Sequence, residues 1–524
     1  MKLRKYLLAF SLAGLGLSLL GAQSEPLRLG VDKHLFLDRR LIESSQGLRL
    51  VFNPPEQPRE NLILKDRPWE QGRVGGYAHV LKDGEIYRMY YNSFDRSYQV
   101  RYLCLAVSSD GVRWIKPDLG LIEYQGIRQT NIVAIDAFGS PFIDPFDTPE
   151  KRYKLYSRVG RAPGERDQIT GSRSTTSEVQ WPAAKGADPS AVYLLYSHDG
   201  VRWKRESEPV MPYYVGAPTS VLWDESIERW TIYPRAYLPE SRVRVYSRTT
   251  ARKYELAKRF DLEPSPHREQ MQESGVSLGG LIDELPVVLK PDKHDPDGMQ
   301  VYTFYGYNYP AADAYVAFPS MWYSRRPDDF GREDPGAADA LEIQFAHSRD
   351  GIQWQRPFRQ PLVSLGTPGS GFEGQIYGAG LVENGDQLFF YYNGLPSEHM
   401  SRDKSVDWTC ITARAIFRLD GFVSADIDYA GGELTTPLLT FGGSKLRYNA
   451  KTGGGGYIRT EILDESGKPI SGFTLEESDR LNGNSVRHVV SWKGKDEVGE
   501  IAGRKVKLRL VVRDVKLYSL QFIG

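Results

Sequence analysis

Four carboxylates in this chain have neighbours that restrict them enough for acid–base or nucleophilic chemistry: Asp136, Asp144, Asp313 and Glu373. Glu373 is the strongest single choice. It lies in Gly371-Phe372-Glu373-Gly374-Gln375-Ile376-Tyr377, where flanking glycines permit close backbone approach and an apolar run reads as a strand. The same carboxylate also fits a turn, accepting bonds from local amides. Asp136 stands between Ile135 and Ala137 in an apolar segment, so it is either a paired interior carboxylate or a site residue. Asp144 opens Asp144-Pro145-Phe146-Asp147-Thr148-Pro149-Glu150, which reads equally as a polar turn. Asp313 ends Tyr309-Pro310-Ala311-Ala312-Asp313. Arg73, His79 and Arg235 are candidate cationic donors, and Tyr77, Tyr305, Tyr307 and Tyr377 are candidate ring faces for a ligand. The 8 histidines and 2 cysteines show no metal-ligand spacing, so neither a metal nor an organic cofactor is expected.

Positioning these residues requires sheets. Ser108-Ser109-Asp110-Gly111-Val112-Arg113-Trp114 recurs as Ser197-His198-Asp199-Gly200-Val201-Arg202-Trp203 and as Ser348-Arg349-Asp350-Gly351-Ile352-Gln353-Trp354. Each copy follows an apolar strand, and Asp-Gly supplies the turn of a hairpin whose return strand the Trp opens. A repeated carboxylate is architecture, so Asp110, Asp199 and Asp350 are read as turn caps. Strands placed around these anchors form five units of four, at 75–116, 131–205, 219–260, 301–356 and 376–426. Five such units predict an all-β, five-bladed β-propeller over residues 25–428, whose inner strands surround a channel. From 429 to 524 the texture changes to short alternating strands between glycines, which predicts a β-sandwich. The run Gly453 to Gly456 leads into a strand rather than a helix, so it is no phosphate cradle.

Lys2, Arg4 and Lys5 precede the uncharged stretch Tyr6 to Ala22, and Ala22-Gln23-Ser24 offers small residues for cleavage. Residues 1–24 therefore read as an export signal, with a mature chain that is periplasmic or secreted and free of the membrane. The charge balance of 67 basic to 67 acidic residues provides no basic stripe for nucleic acid. Cys104 and Cys410 read as buried thiols, with a single disulfide as the alternative.

Lys82-Asp83-Gly84-Glu85-Ile86-Tyr87-Arg88-Met89-Tyr90-Tyr91, followed by Ala106 to Trp114, resembles the first blade of the invertase and levanase type of glycoside hydrolase, family 32 and its relative family 43. Phe36-Leu37-Asp38, Pro68-Trp69-Glu70, Arg152-Tyr153-Lys154-Leu155 and Ala317-Phe318-Pro319-Ser320-Met321 resemble exported bacterial proteins of the family-32-like kind. The resemblance implies carboxylates at inner-strand starts that cleave glycosidic bonds of an oligo- or polysaccharide, with Glu373, Asp136 and Asp144 as the catalytic candidates. By residue type, Arg73, His79, Arg235, Tyr307, Asp313 and Tyr377 are the candidate sugar contacts, with the arginines and His79 suited to an acidic or sulfated sugar. The family's first acid would fall near Gly75, where Arg73-Val74-Gly75-Gly76-Tyr77 carries no carboxylate. That gap leaves a non-catalytic carbohydrate-binding propeller as the alternative. A sialidase is the lesser one, because the repeat S-x-D-G-V-x-W is a residue shorter than the sialidase Asp box.

Overall fold

The turn at each repeat is built as its residues require. In a computed structural model, Ser197 Oγ donates to Asp199 Oδ1 at 2.9 Å, and that oxygen accepts the amides of Val201 and Arg202 at 2.8 Å each. Asp110 and Asp350 do the same. The glycine that follows serves a second purpose, absent from the hairpin reading. Tyr90 donates to the Gly200 carbonyl at 2.8 Å, Tyr391 to Gly111 at 2.8 Å and Tyr233 to Gly351 at 2.7 Å. Each tyrosine meets the repeat's tryptophan edge-on at 5.9 Å. A Cβ on Gly200 would lie 2.5 Å from the Tyr90 hydroxyl, so glycine is required for the approach as well as for φ +72°. The motif thus locks one sheet to its neighbour.

The described residues are 25–94, 100–158, 191–211, 216–238, 243–261, 263–264, 283–312, 314–324, 339–399 and 410–524. Among them the fold is all-β, with short 3-10 turns and no helix long and apolar enough to cross a membrane. The first sheet joins Arg73–Asp83, Ile86–Phe94, Arg101–Ser108 and Ile132–Ile135; the second joins Phe142–Ile143, Tyr153–Arg158, Val192–Ser197 and Lys204–Met211. The expected strand 131–143 is therefore two strands in two sheets, parted at Asp136 (φ +54°) and Gly139. The third unit splits in two, because Pro234 interrupts the strand between Arg229–Tyr233 and Arg235–Tyr237. The fourth splits likewise, between Met299–Thr303 and Gly306–Asn308. The fifth contains Gln375–Asn384, Gln387–Leu395 and Ile411–Arg418. The return strands expected at 113–116 and 353–356 are single bridges, Val107 to Ile115 and His347 to Gln355.

Five apolar cores join these groups in sequence. Tyr90, Leu103 and Leu105 pack with Tyr153 and Leu155; Tyr156 and Leu194 with Trp230 and Ile232; Tyr233 and Tyr246 with Val301 and Phe304; and Val316 and Phe318 with Phe390 and Tyr392. The fifth core joins the last group to the first, through Val80, Met89 and Tyr91 against Ala379, Val382 and Tyr391. The last group is also paired from the amino-terminal side. Glu56 bridges Ile416, and Leu62 donates its amide to the Thr412 carbonyl at 2.8 Å. That segment takes the edge expected for 422–426. Val423–Ile427 instead joins a ten-stranded sheet with Leu27–Gly30, Lys33–Leu35, Ser44–Gln46, Leu48–Phe52 and the strands of 429–524.

That sheet recruits both ends of the chain around a core including Phe36, Leu446, Ile462, Leu510 and Phe522. Its long strands Lys445–Asp464 and Val506–Ile523 pair along their length, with one register shift between Asn449 and Ala450 and a larger break between Thr452 and Tyr457. There Gly453 to Gly456 bulge opposite Asp514, and a Cβ on Gly453 would overlap the Asp514 carboxylate. The glycine run is therefore a bulge.

Candidate functional site

Strand Arg73–Asp83, the link between Ile132–Ile135 and Phe142–Ile143, and the strands Met299–Thr303 and Gln375–Asn384 of one six-stranded sheet meet side chain to side chain. The Tyr77 ring lies 5.5 Å from Tyr377 and 5.8 Å from Phe138, and its hydroxyl bonds to that of Tyr302 at 2.9 Å. Arg73 Nη2 donates to the Tyr377 hydroxyl at 3.0 Å. The Arg235 guanidinium lies 5.7 Å from the Tyr302 ring and donates to the Tyr237 hydroxyl at 3.0 Å. Burial holds the Tyr77 and Tyr377 hydroxyls far above the ordinary phenol range, so both are neutral donors. Tyr77 adopts φ +50° and Asp136 φ +54°, conformations unfavourable for non-glycine residues.

Asp136 is buried, its amide donates to the Arg101 carbonyl at 2.8 Å, and its Oδ1 is shielded without a hydrogen-bond partner among the described residues. Two residues on, Phe138 links it to Tyr77, and the Arg101 guanidinium covers the same ring at 4.8 Å. Arg73 is unsatisfied in the opposite sense. It is half-buried, its Nε is shielded and unpartnered, and no carboxylate pairs with it among the described residues. A charge held this way favours an incoming anion, because burial without a counter-ion is costly.

Gly75, where the family resemblance requires the first acid, cannot carry one. Its φ is +89°, and a Cβ there would lie 2.8 Å from Thr412 Oγ1 and 3.1 Å from the Cys410 carbonyl. The position is filled by the neighbouring strand.

The other sequence candidates divide. Asp144 is a structural carboxylate: Oδ2 accepts the buried Lys154 ammonium at 2.6 Å and Oδ1 accepts the Phe146 amide at 2.9 Å. Glu373 sits in a turn, where Oε1 accepts the Gly369 amide, while its shielded Oε2 is unpartnered. The strand after it does reach the site, through Tyr377. His79 and Tyr307 are not in the aromatic group but line a separate cavity, His79 further along the strand of Tyr77 and Tyr307 on Gly306–Asn308. Burial pushes the His79 imidazole down to about 4, so it is neutral at pH 7 and no cationic donor. Asp313 lies outside the described residues. Glu70, a loop carboxylate, is consumed by Tyr91, Lys116 and two amides.

Several members of the site have no sequence signal. Tyr302 sits in an ordinary strand, and His399 meets its ring at 4.6 Å while bonding Gln375 Oε1 at 3.1 Å. Trp322 packs on His399 at 4.6 Å and donates to Asp339 at 2.8 Å. Cys410 is a free, buried thiol 3.5 Å from the Tyr377 hydroxyl, and Cys104 is also free.

No protein-family model and no curated protein matches the sequence. Among solved structures, a glycoside hydrolase aligns at TM-score 0.43 and 13% identity, over 69% of this chain and 92% of its own. A structure from the GH130 family of mannoside phosphorylases, which contains glycoside hydrolases that target β-1,2 mannosidic linkages in Candida mannan, aligns at 0.40 and 13%, over 70% and 94%. A glycosyl hydrolase from Bacteroides ovatus aligns at 0.40 and 11%, over 70% and 94%.

Proposed function

We propose that the chain is an exported carbohydrate-active enzyme whose five sheet groups form the blades of a β-propeller, and that it cleaves glycosidic bonds where the blades' first strands meet. The supporting observation is the pairing of a buried carboxylate oxygen on Asp136, without a hydrogen-bond partner among the described residues, with an aromatic group that a sugar ring can stack on. Asp136 would donate a proton to the glycosidic oxygen as the bond to the anomeric carbon breaks, and take one back from the water that adds to that carbon. Tyr77, Tyr377 and Phe138 supply ring faces, and neutral phenols bond sugar hydroxyls without repelling them. The unpaired Arg73 favours a glycan carrying carboxylate or sulfate groups. Asp144 and Glu373 serve the fold in this reading.

A second reading, carbohydrate binding without cleavage, is favoured by the make-up of the group: aromatic rings and guanidinium groups outnumber its one free carboxylate among the described residues. Reducing-end release on acidic and neutral glycans, measured beside glycan binding, separates the two. Release by the native chain that Asp136→Asn abolishes supports hydrolysis, whereas binding with no release from any bound glycan supports the alternative.

A further inference from the structure

The run Gly453 to Gly456 holds more glycine than its bulge requires. A Cβ on Gly453 would overlap the Asp514 carboxylate, and one on Gly456 would lie 2.6 Å from the carbonyl oxygens of Arg513 and Asp514. At Gly454 a Cβ would meet nothing within 4 Å, and at Gly455 only the ring and hydroxyl of Tyr429, at 3.7 and 3.9 Å. Neither of these two adopts a positive φ, so neither packing nor backbone conformation selects glycine there. Their bareness leaves Tyr429 uncovered.

Tyr429 belongs to a stack on the outer face of the carboxyl-terminal sheet. Tyr457 and Arg513 are cross-strand partners and leave the sheet on one face, while the buried Ile458 and Val512 take the other. The Arg513 guanidinium lies over the Tyr429 ring at 5.6 Å and the Tyr457 ring at 5.9 Å, and that of Arg480 lies over Tyr457 at 5.0 Å. Tyr429 is 67% exposed and Arg480 is exposed, so most of the outer ring and the outer cation stay open to solvent.

The charge of this face is unbalanced. Among the described residues no carboxylate pairs with Arg480 or Arg513. Arg459, two residues from Tyr457 on the same face, donates to the carbonyls of Leu475 and Ser478 instead. The acids around the stack are turned elsewhere: Asp428 accepts the Ala430 amide, Asp479 accepts the Ser491 hydroxyl and the Gly494 amide, Asp514 adjoins Gly453, and Glu433 and Glu461 share Arg509. Guanidinium groups bind carboxylate or sulfate oxygens in pairs, and an open phenol ring covers the C–H face of a sugar. Cations and rings that alternate every 5.0–5.9 Å suit a chain in which acid groups and sugar rings also alternate.

We propose that this face of the carboxyl-terminal sheet is a second binding surface, distinct from the candidate catalytic group, for an anionic polysaccharide. It requires no cleavage at Asp136, so it stands or falls independently of the enzymatic reading.

Isothermal titration of the full chain with polygalacturonate, dextran sulfate and neutral dextran tests it, in an Arg73→Gln/Asp136→Asn background that removes the charges of the aromatic group. Binding is expected for at least one acidic polymer and not for dextran, and the polymer that binds identifies carboxylate or sulfate as the anion. Arg480→Gln/Arg513→Gln should weaken binding about tenfold or more. Gly455→Leu, which covers Tyr429 where the fold has room, should weaken it about threefold. Arg128→Gln, at an arginine 83% exposed outside this face, should leave it unchanged. Binding by neither acidic polymer, equal binding by dextran, or tighter binding by single-stranded DNA than by either glycan would overturn the proposal. So would binding that the double arginine variant leaves unchanged, or that Arg128→Gln weakens as much. A thermal melt of each variant checks that the fold is retained.

Discussion

Restoring the acid that the family resemblance expects at Gly75 should damage the protein rather than activate it. The residue has φ +89°, a conformation costing an L-residue roughly 1–2 kcal/mol. Its Cβ would meet Thr412 Oγ1 at 2.8 Å and the Cys410 carbonyl at 3.1 Å. Overpacking of that kind costs about 1–3 kcal/mol. Gly75→Ala should therefore lose about 2–5 kcal/mol, and Gly75→Asp at least as much, since its carboxylate enters beside a carbonyl oxygen. For a unit of this size each kcal/mol lowers Tm by roughly 2–4 °C, so a fall of about 4–20 °C is expected. Adding Thr412→Ala removes the closest contact, and a double-mutant cycle in denaturant should show a favourable coupling of about 1 kcal/mol. Glycan turnover should not rise in any of these variants. A Gly75→Asp protein with native Tm and increased product release would refute the reasoning, because the acid would then have had room and a role.

Asp144→Asn should destabilise the chain by about 2–4 kcal/mol by leaving Lys154 with Asp147 alone, read by denaturant midpoint, with kcat retained. Asp199→Ala removes an acceptor for two backbone amides and should cost about 1–2 kcal/mol without altering glycan release, measured by the same methods. Stability should also depend on pH through two buried imidazoles. Burial depresses both His79 and His347 to about 4 from an ordinary value of 6.5, so between those limits the unfolded chain binds more protons. Stability is then full above about pH 6.5 and falls as pH drops towards 4, and His79→Gln should flatten part of that slope in a Tm series.

The repeat made the hairpin turns and the sheet-rich architecture legible, because Asp-Gly fixes a turn whatever surrounds it. Its larger role was not legible. Tyr90, Tyr233 and Tyr391 lie far from Gly200, Gly351 and Gly111 in sequence, and nothing local announces which hydroxyl reaches which carbonyl. The return strand at 113–116 failed for a related reason, since the edge it was expected to cover is taken by Ile132–Ile135, just as the segment at Glu56 takes the edge beside Ile411–Arg418. At the site, Asp136, Arg73 and Tyr377 could be picked out as polar groups beside apolar strand residues. Whether a carboxylate is free or paired depends on a partner elsewhere: Lys154 takes Asp144, and the Gly369 amide holds Glu373. His79 was misread as a cation because its type is visible in the sequence and its burial is not.

In the proposed function Asp136 performs proton transfer on a bound glycan. Its most direct test is kcat/KM for reducing-end release by the native chain and by Asp136→Asn, on a glycan that both bind. Loss of a general acid predicts a fall of about 10²–10⁴-fold with binding retained. Equal release by the two proteins would contradict the claim.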